Sequence, residues 1–199
     1  FNLILSRKTI GTPSPKTETI EIPGGDGVLD LTDFFGEVKY NNRELSFEFS
    51  TIVPQGAFMD LFSSVQNALH GKKMKIAWDD DPFHYYMGRI TVSEWKAEKS
   101  IGKLTIDCDC EPYKYDVSET VVSQYVDGTG TFYLENDKKR VVPTITTSSE
   151  MLFRYEGTYY NPGIIGTFTL PEIELKEGTN IVEVTGVGSV SFSYRKGQL

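Results

Sequence analysis

The residues whose types suit chemistry are Cys108 and Cys110, His70 and His84, and the carboxylate run Asp79-Asp80-Asp81. Zinc knuckles and thioredoxin-like sites place two residues between their thiols. Cys108-x-Cys110 leaves one, and the chain has no second cysteine pair. Both thiols sit on one face of an alternating stretch, Leu104-Thr105-Ile106-Asp107-Cys108-Asp109-Cys110, where neighbouring same-face positions disfavour disulfide geometry. They read as small buried hydrophobes, reduced and without metal. The two histidines are far apart in sequence and form no local ligand set. The acidic run offers oxygen ligands but lacks the alternating spacing and glycine of an EF-hand loop, so it reads as a hairpin turn closed by Pro82. With 28 acidic residues some carboxylates must fall close together by chance, so no glycosidase pair is assigned. There is no G-x-S-x-G elbow, P-loop or dinucleotide fingerprint. Gly24-Gly25-Asp26-Gly27 lacks the helix and lysine that phosphate cradling requires. The sequence therefore assigns no catalytic, cofactor or metal residue, and the expectation is a protein that is not an enzyme and carries no cofactor.

The elements that hold these residues read as mainly β. From Ile20 to Phe49, Ile20 and Ile22 pair at strand spacing, and Pro23 to Gly27 breaks the run. Val28, Leu29 and Leu31 resume it before a second break near Gly36. Leu45, Phe47 and Phe49 then share one strand face against Glu44, Ser46 and Glu48, as in a half-buried antiparallel strand. Ahead of this, Phe1 to Leu5 reads as a first strand, broken at Thr12-Pro13-Ser14-Pro15. One helix is expected over residues 57–69, where Phe58, Leu61, Phe62, Val65, Ala68 and Leu69 recur at three and four and Gly71 follows as a cap. Met74 to Trp78, a hairpin strand from Tyr85 or Tyr86 to Trp95, and the Leu104 to Cys110 strand come next. Beyond Tyr115 helical periodicity disappears. Short β-rich runs are punctuated by Asp127-Gly128, Asn136-Asp137, Glu156-Gly157, Asn161-Pro162-Gly163, Glu177-Gly178 and Val187-Gly188, the pattern of a sandwich. The expected domains are residues 1–116 and 117–199.

Composition narrows the partners. The chain has 199 residues and a net charge of −8. Residues 1–116 carry 13 basic against 18 acidic side chains, and residues 117–199 carry 7 against 10. Neither part has the electrostatic footprint of a nucleic-acid binder. Lys72-Lys73-x-Lys75 and Lys138-Lys139-Arg140 read as solvated turns or strand edges. No apolar run reaches the roughly 20 residues of a membrane helix, and the opening FNLILSRKTIG lacks the regions of a signal peptide. No membrane partner is expected, and synthesis in the cytoplasm is.

The order Ile22-Pro23-Gly24-Gly25-Asp26-Gly27, Leu29-Asp30-Leu31-Thr32, then Tyr40, Arg43 and the Phe47-x-Phe49 strand resembles the distal tail protein of long-tailed, non-contractile bacteriophages. The resemblance implies an N-terminal belt domain, a β-sandwich with one helix and a long hairpin, that assembles into a ring at the tail tip. Glu111-Pro112-Tyr113-Lys114-Tyr115 and Gly88-Arg89 match the same pattern. Leu175 to Ile181 and Val190 to Arg195 look like the family's C-terminal galectin-like β-sandwich, though L-x-x-G-x-N also occurs in unrelated sandwiches. The resemblance further implies a structural hub of phage or prophage origin, located at the virion tail tip and assembled in the bacterial host. Its partners would be itself, as a homohexameric ring, the tail tube protein above, and tail-associated lysin, fibre or baseplate proteins below. The alternative is a carbohydrate-binding module on the virion surface, for which Tyr155, Tyr159 and Tyr160 would supply the aromatic platform. Residues 117–199 have no Trp or His to complete a galectin sugar site, which favours docking over sugar binding.

Overall fold

A computed structural model describes residues 1–34, 36–98 and 101–199, with Gln55 and Glu98 described by backbone alone. The chain is mainly β and forms two compact units. One comprises Phe1–Ile76 and Tyr86–Pro112; the other comprises Ala77–Tyr85 and Tyr113–Leu199.

The first unit holds β1 (Ile4–Ile10), β2 (Thr19–Glu21), β3 (Val28–Asp30), β4 (Arg43–Ile52), α1 (Phe58–Leu69) and β5 (Lys73–Ile76), with most of β6 (His84–Glu98) and β7 (Ile101–Asp116). Its main sheet runs β1-β4-β7-β6-β5. The first strand begins later than the sequence indicated, at Ile4, and pairs antiparallel with β4 across a bulge between Leu5 and Arg7. The alternation in β4 is realised: Leu45 and Phe47 are buried, and Leu45 lies opposite Cys108 and Phe47 opposite Ile106 on β7. Arg43 opens β4 almost fully buried. Its Nε donates to the Pro112 carbonyl at 2.8 Å and its guanidinium lies 5.1 Å from the Tyr86 ring, so a buried charge finds both a dipole and a π face.

A 3-10 turn, Gln55–Ala57, leads into α1. Phe58 and Val65 are its buried residues, and Phe62 stacks on Trp95 of β6 with ring centroids 5.5 Å apart. Gly71 ends the helix at φ +77°, a conformation glycine adopts freely, and its N–H bonds the Ile90 carbonyl at 2.8 Å. The chain thereby turns directly into β5.

The second unit is built on two 17-residue strands, β8 (Thr120–Asn136) and β13 (Gly178–Tyr194), paired along their whole length. The other side of β13 pairs first with β10 (Leu152–Tyr155) and then with β9 (Thr144–Thr147), while β11 (Thr158–Tyr160) and β12 (Gly166–Thr169) extend the sheet outward from these. Asp127-Gly128 and Val187-Gly188, which read as turns, lie inside β8 and β13, with Gly128 opposite Gly186. Gly186 and Gly188 lie against the segment around residues 148–151: at Gly188, φ is +146° and an added Cβ would collide with the hydroxyls of Ser148 and Ser149. The core draws alternate residues from four strands, including Phe132, Leu134, Ile145, Phe153, Val182 and Phe192, all within residues 117–199. The Gly197–Gln198 strand, β14, pairs with Tyr115 and Lys114 at the end of β7.

Candidate assembly surfaces

Cys108 and Cys110 are free thiols buried among core side chains. Burial, first of all, pushes Cys108 up to about 12 and Cys110 up to about 11, with neighbouring acidic groups adding to it, so neither forms a nucleophilic thiolate near neutrality. Among the described residues no group of three or more His, Cys, Asp or Glu side chains is placed to hold a metal ion.

The acidic turn acquires a role the sequence did not reveal. His84 Nδ1 lies 2.5 Å from Asp81 Oδ1, and its Nε2 lies 2.7 Å from Gln198 Nε2 and 3.5 Å from Asp116 Oδ1. Lys114 Nζ donates to the other Asp81 oxygen at 3.1 Å. The His84 bond holds the Asp81 carboxyl below its usual range, with Lys114 contributing. Arg195 donates to the carbonyls of Asp116 and Val117, and the Val117 N–H donates to Phe83 O at 2.8 Å. These contacts lie within the second unit and fix residues 81–84 to its strands. His84 stands among residues remote in sequence, so no local spacing could have announced the cluster.

The three tyrosines expected as a sugar platform do not form one. Tyr155 is 4% exposed, and its hydroxyl bonds the Glu174 carbonyl and Asn180 Oδ1 at 2.8 and 2.9 Å. Tyr160 packs against the core. Tyr159 alone is open, with the Arg154 guanidinium 5.6 Å from its ring. A groove of about 410 Å³ runs beside it, but its charges are already matched internally: Arg154 pairs with Glu183 at 2.8 Å, and Lys176 pairs with Glu156.

Exposed apolar side chains occur in both units; in the first, several fall together on one ribbon. The β1–β4 ladder continues past its named strands: Gly11 N–H bonds Glu44 O, Asn41 N–H bonds Ser14 O and Lys16 N–H bonds Lys39 O, at 2.7–2.8 Å. It leads to a two-stranded tip in which Thr19, Ile20 and Glu21 oppose Asp30, Leu29 and Val28. Residues 14–34 and 36–41 thus belong to a β-ribbon arm whose tip is the glycine-rich motif. Every residue of both tip strands is exposed, Ile20 at 52%, and Phe34 beside them is 73% exposed. At the other edge of the sheet, β5 presents exposed Lys73, Met74 and Lys75. Lys73 lies directly opposite Arg89 of β6, a like-charge pairing that is unfavourable unless anions neutralise it; Glu111 does so in part, 2.6 Å from Lys73 Nζ.

A two-unit, mainly β chain with an exposed ribbon arm has a solved counterpart. The structure is similar to the Dit protein of phage SPP1, with a TM-score of 0.70 and 16% sequence identity, over 98% of this chain and 93% of that one. The Dit structure is described as a paradigm of the hub adsorption apparatus in phages that infect Gram-positive bacteria. At this identity the likeness is one of fold. No protein-family model matches the sequence, and no curated protein matches it.

Proposed function

We propose that this chain is a structural subunit of a phage tail tip, a hub protein and not an enzyme. Six copies close into a ring through residues 1–116 and join the tail tube to tail-associated lysin, fibre or baseplate proteins. The supporting observation is the fold shared with SPP1 Dit across nearly the whole of both chains, so that both units have counterparts in a phage hub protein. Fold alone does not fix function, and the surface chemistry supplies the second support. Five exposed apolar side chains, Ile20, Ile22, Val28, Leu29 and Phe34, lie together on the ribbon arm, where association would cover them. A subunit joining tubular partners must match their rotational symmetry, and head-to-tail contacts that close on themselves produce a ring.

Residues 117–199 are, in this reading, a galectin-like sandwich that docks other tail-tip proteins; their core is self-contained. The protein resides at the virion tail tip after assembly in the bacterial host. The test is negative-stain imaging and light scattering of the full chain, alone and with tail-tube and tail-lysin proteins of the same phage. Six-fold rings that bind those partners are the expected result. A monomer that ignores both partners overturns the reading.

A further inference from the structure

Building on the ring reading, we propose that each copy inserts its acidic arm tip, residues 17–33, against the β5 edge of the next copy. Three observations converge on this pairing. Residues 17–33 hold Glu18, Glu21, Asp26, Asp30 and Asp33 and no Lys or Arg, whereas residues 71–76 hold Lys72, Lys73 and Lys75 and no acid. The arm springs from the β1–β4 pair at one edge of the sheet, and β5 is the strand at the opposite edge. A head-to-tail ring needs two different patches on opposite sides of a subunit, whereas arm-to-arm contact would give a closed two-fold dimer.

The third observation is structural incompleteness on both sides. A two-stranded ribbon exposed on both faces is marginal in water and gains from a third strand. The β5 edge is four residues long, basic and outermost, a guarded edge that can accept a short anionic strand. Placed there, the arm carboxylates would face the Lys73–Arg89 like-charge pair, and Ile20 or Leu29 would meet Met74, which is 37% exposed.

Charge reversal on each side separately, then in combination, tests the pairing. In the full chain, Lys73→Glu with Lys75→Glu should weaken self-association at least about 10-fold, and so should Glu21→Lys with Asp30→Lys, because each juxtaposes like charges. Mixing the two variants should restore assembly, since each then offers what the other lacks; light scattering reads the mass. Far-UV circular dichroism confirms that the variants are folded. As a second measurement on otherwise unaltered chains, Leu29→Cys mixed with Met74→Cys should give a disulfide-linked heterodimer under mild oxidation. Rings that form in the parent chain but show neither charge-swap rescue nor this cross-link overturn the arm-to-β5 contact and leave the ring standing. Arm-to-arm disulfides from Leu29→Cys alone, replacing the mixed cross-link, also overturn it. A parent chain that stays monomeric at every concentration and with its tail partners overturns both.

Discussion

The sandwich core of the second unit and the ribbon arm of the first handle apolar side chains in opposite ways. In the second, the aromatic side chains interlock: Phe192 contacts Phe132 edge-on at 5.0 Å and Phe153 at 6.3 Å, and all three are at most 2% exposed. In the first, Ile20, Ile22, Val28, Leu29 and Phe34 are left open on a ribbon. A closed core stabilises the subunit itself, whereas an open arm stabilises only what the subunit joins.

That contrast breaks if equivalent truncations act alike in both regions. Phe192→Ala should destabilise the second unit by about 3–5 kcal/mol, read by denaturant unfolding. Ile20→Ser should leave subunit stability within about 0.5 kcal/mol while lowering self-association. A stability loss from Ile20→Ser as large as that from Phe192→Ala would mean the arm is packed within its own subunit.

The next largest effect lies where the first unit does close its packing. A Cβ at Gly88 would overlap the Cys110 sulfur and come within 2.9 Å of the Asp109 carbonyl, so Gly88→Ala should cost about 1–3 kcal/mol. Gly27→Ala meets no atom within 4 Å but must hold φ at +78°, and its cost should be the smaller, local strain of the arm turn. Thermal unfolding of the two variants ranks them.

The thiols probe the same packed region. Their folded values, about 12 for Cys108 and about 11 for Cys110, stand above the ordinary 9.0. The folded state therefore favours the neutral form. This contribution is fully present below pH 9 and is lost as pH rises from there through the folded values. Alkaline unfolding should be steeper in the parent chain than in a Cys108→Ala, Cys110→Ala variant. In the native protein a thiol reagent at neutral pH should react slowly, and after denaturation it should find two groups.

The smallest effect is expected at the His84 cluster. Asp81 is held below its ordinary 3.8, chiefly by His84, so its contribution is present above that value and is lost as pH falls through the lower folded one. Because these groups are partly exposed, the loss should be modest. Between neutral pH and pH 2, the stability difference between the parent and His84→Ala should narrow only in the acid limb.

Local periodicity made part of this architecture legible. The Leu45-x-Phe47 alternation, the single helix and the two thiols facing a core all appear where three- or two-residue spacing put them, because each is fixed by which face meets the core. Glycine misled where it had two meanings: Gly128 and Gly188 read as chain reversals, but both lie inside long strands at positive φ, and Gly188 also relieves crowding against Ser148 and Ser149. The arm was visible as a motif but not as an arm, since exposed apolar strands read the same as buried ones. Grouping residues 77–85 with the second unit depends on His84, Asp116 and Gln198 meeting across more than thirty positions, which no window along the chain can show.

The split composition of the second unit also sets a schedule for its making. Residues 77–85 emerge from the ribosome early, but one partner that holds them, Gln198, follows about 113 residues later. At about 5–20 residues per second, this interval lasts roughly 6–23 s. Throughout it the loop tip has no sandwich to settle on. Completion of the second unit is thus delayed until almost all of its strands are available, and a translational pause inside residues 120–194 would lengthen the time for which that tip stays exposed.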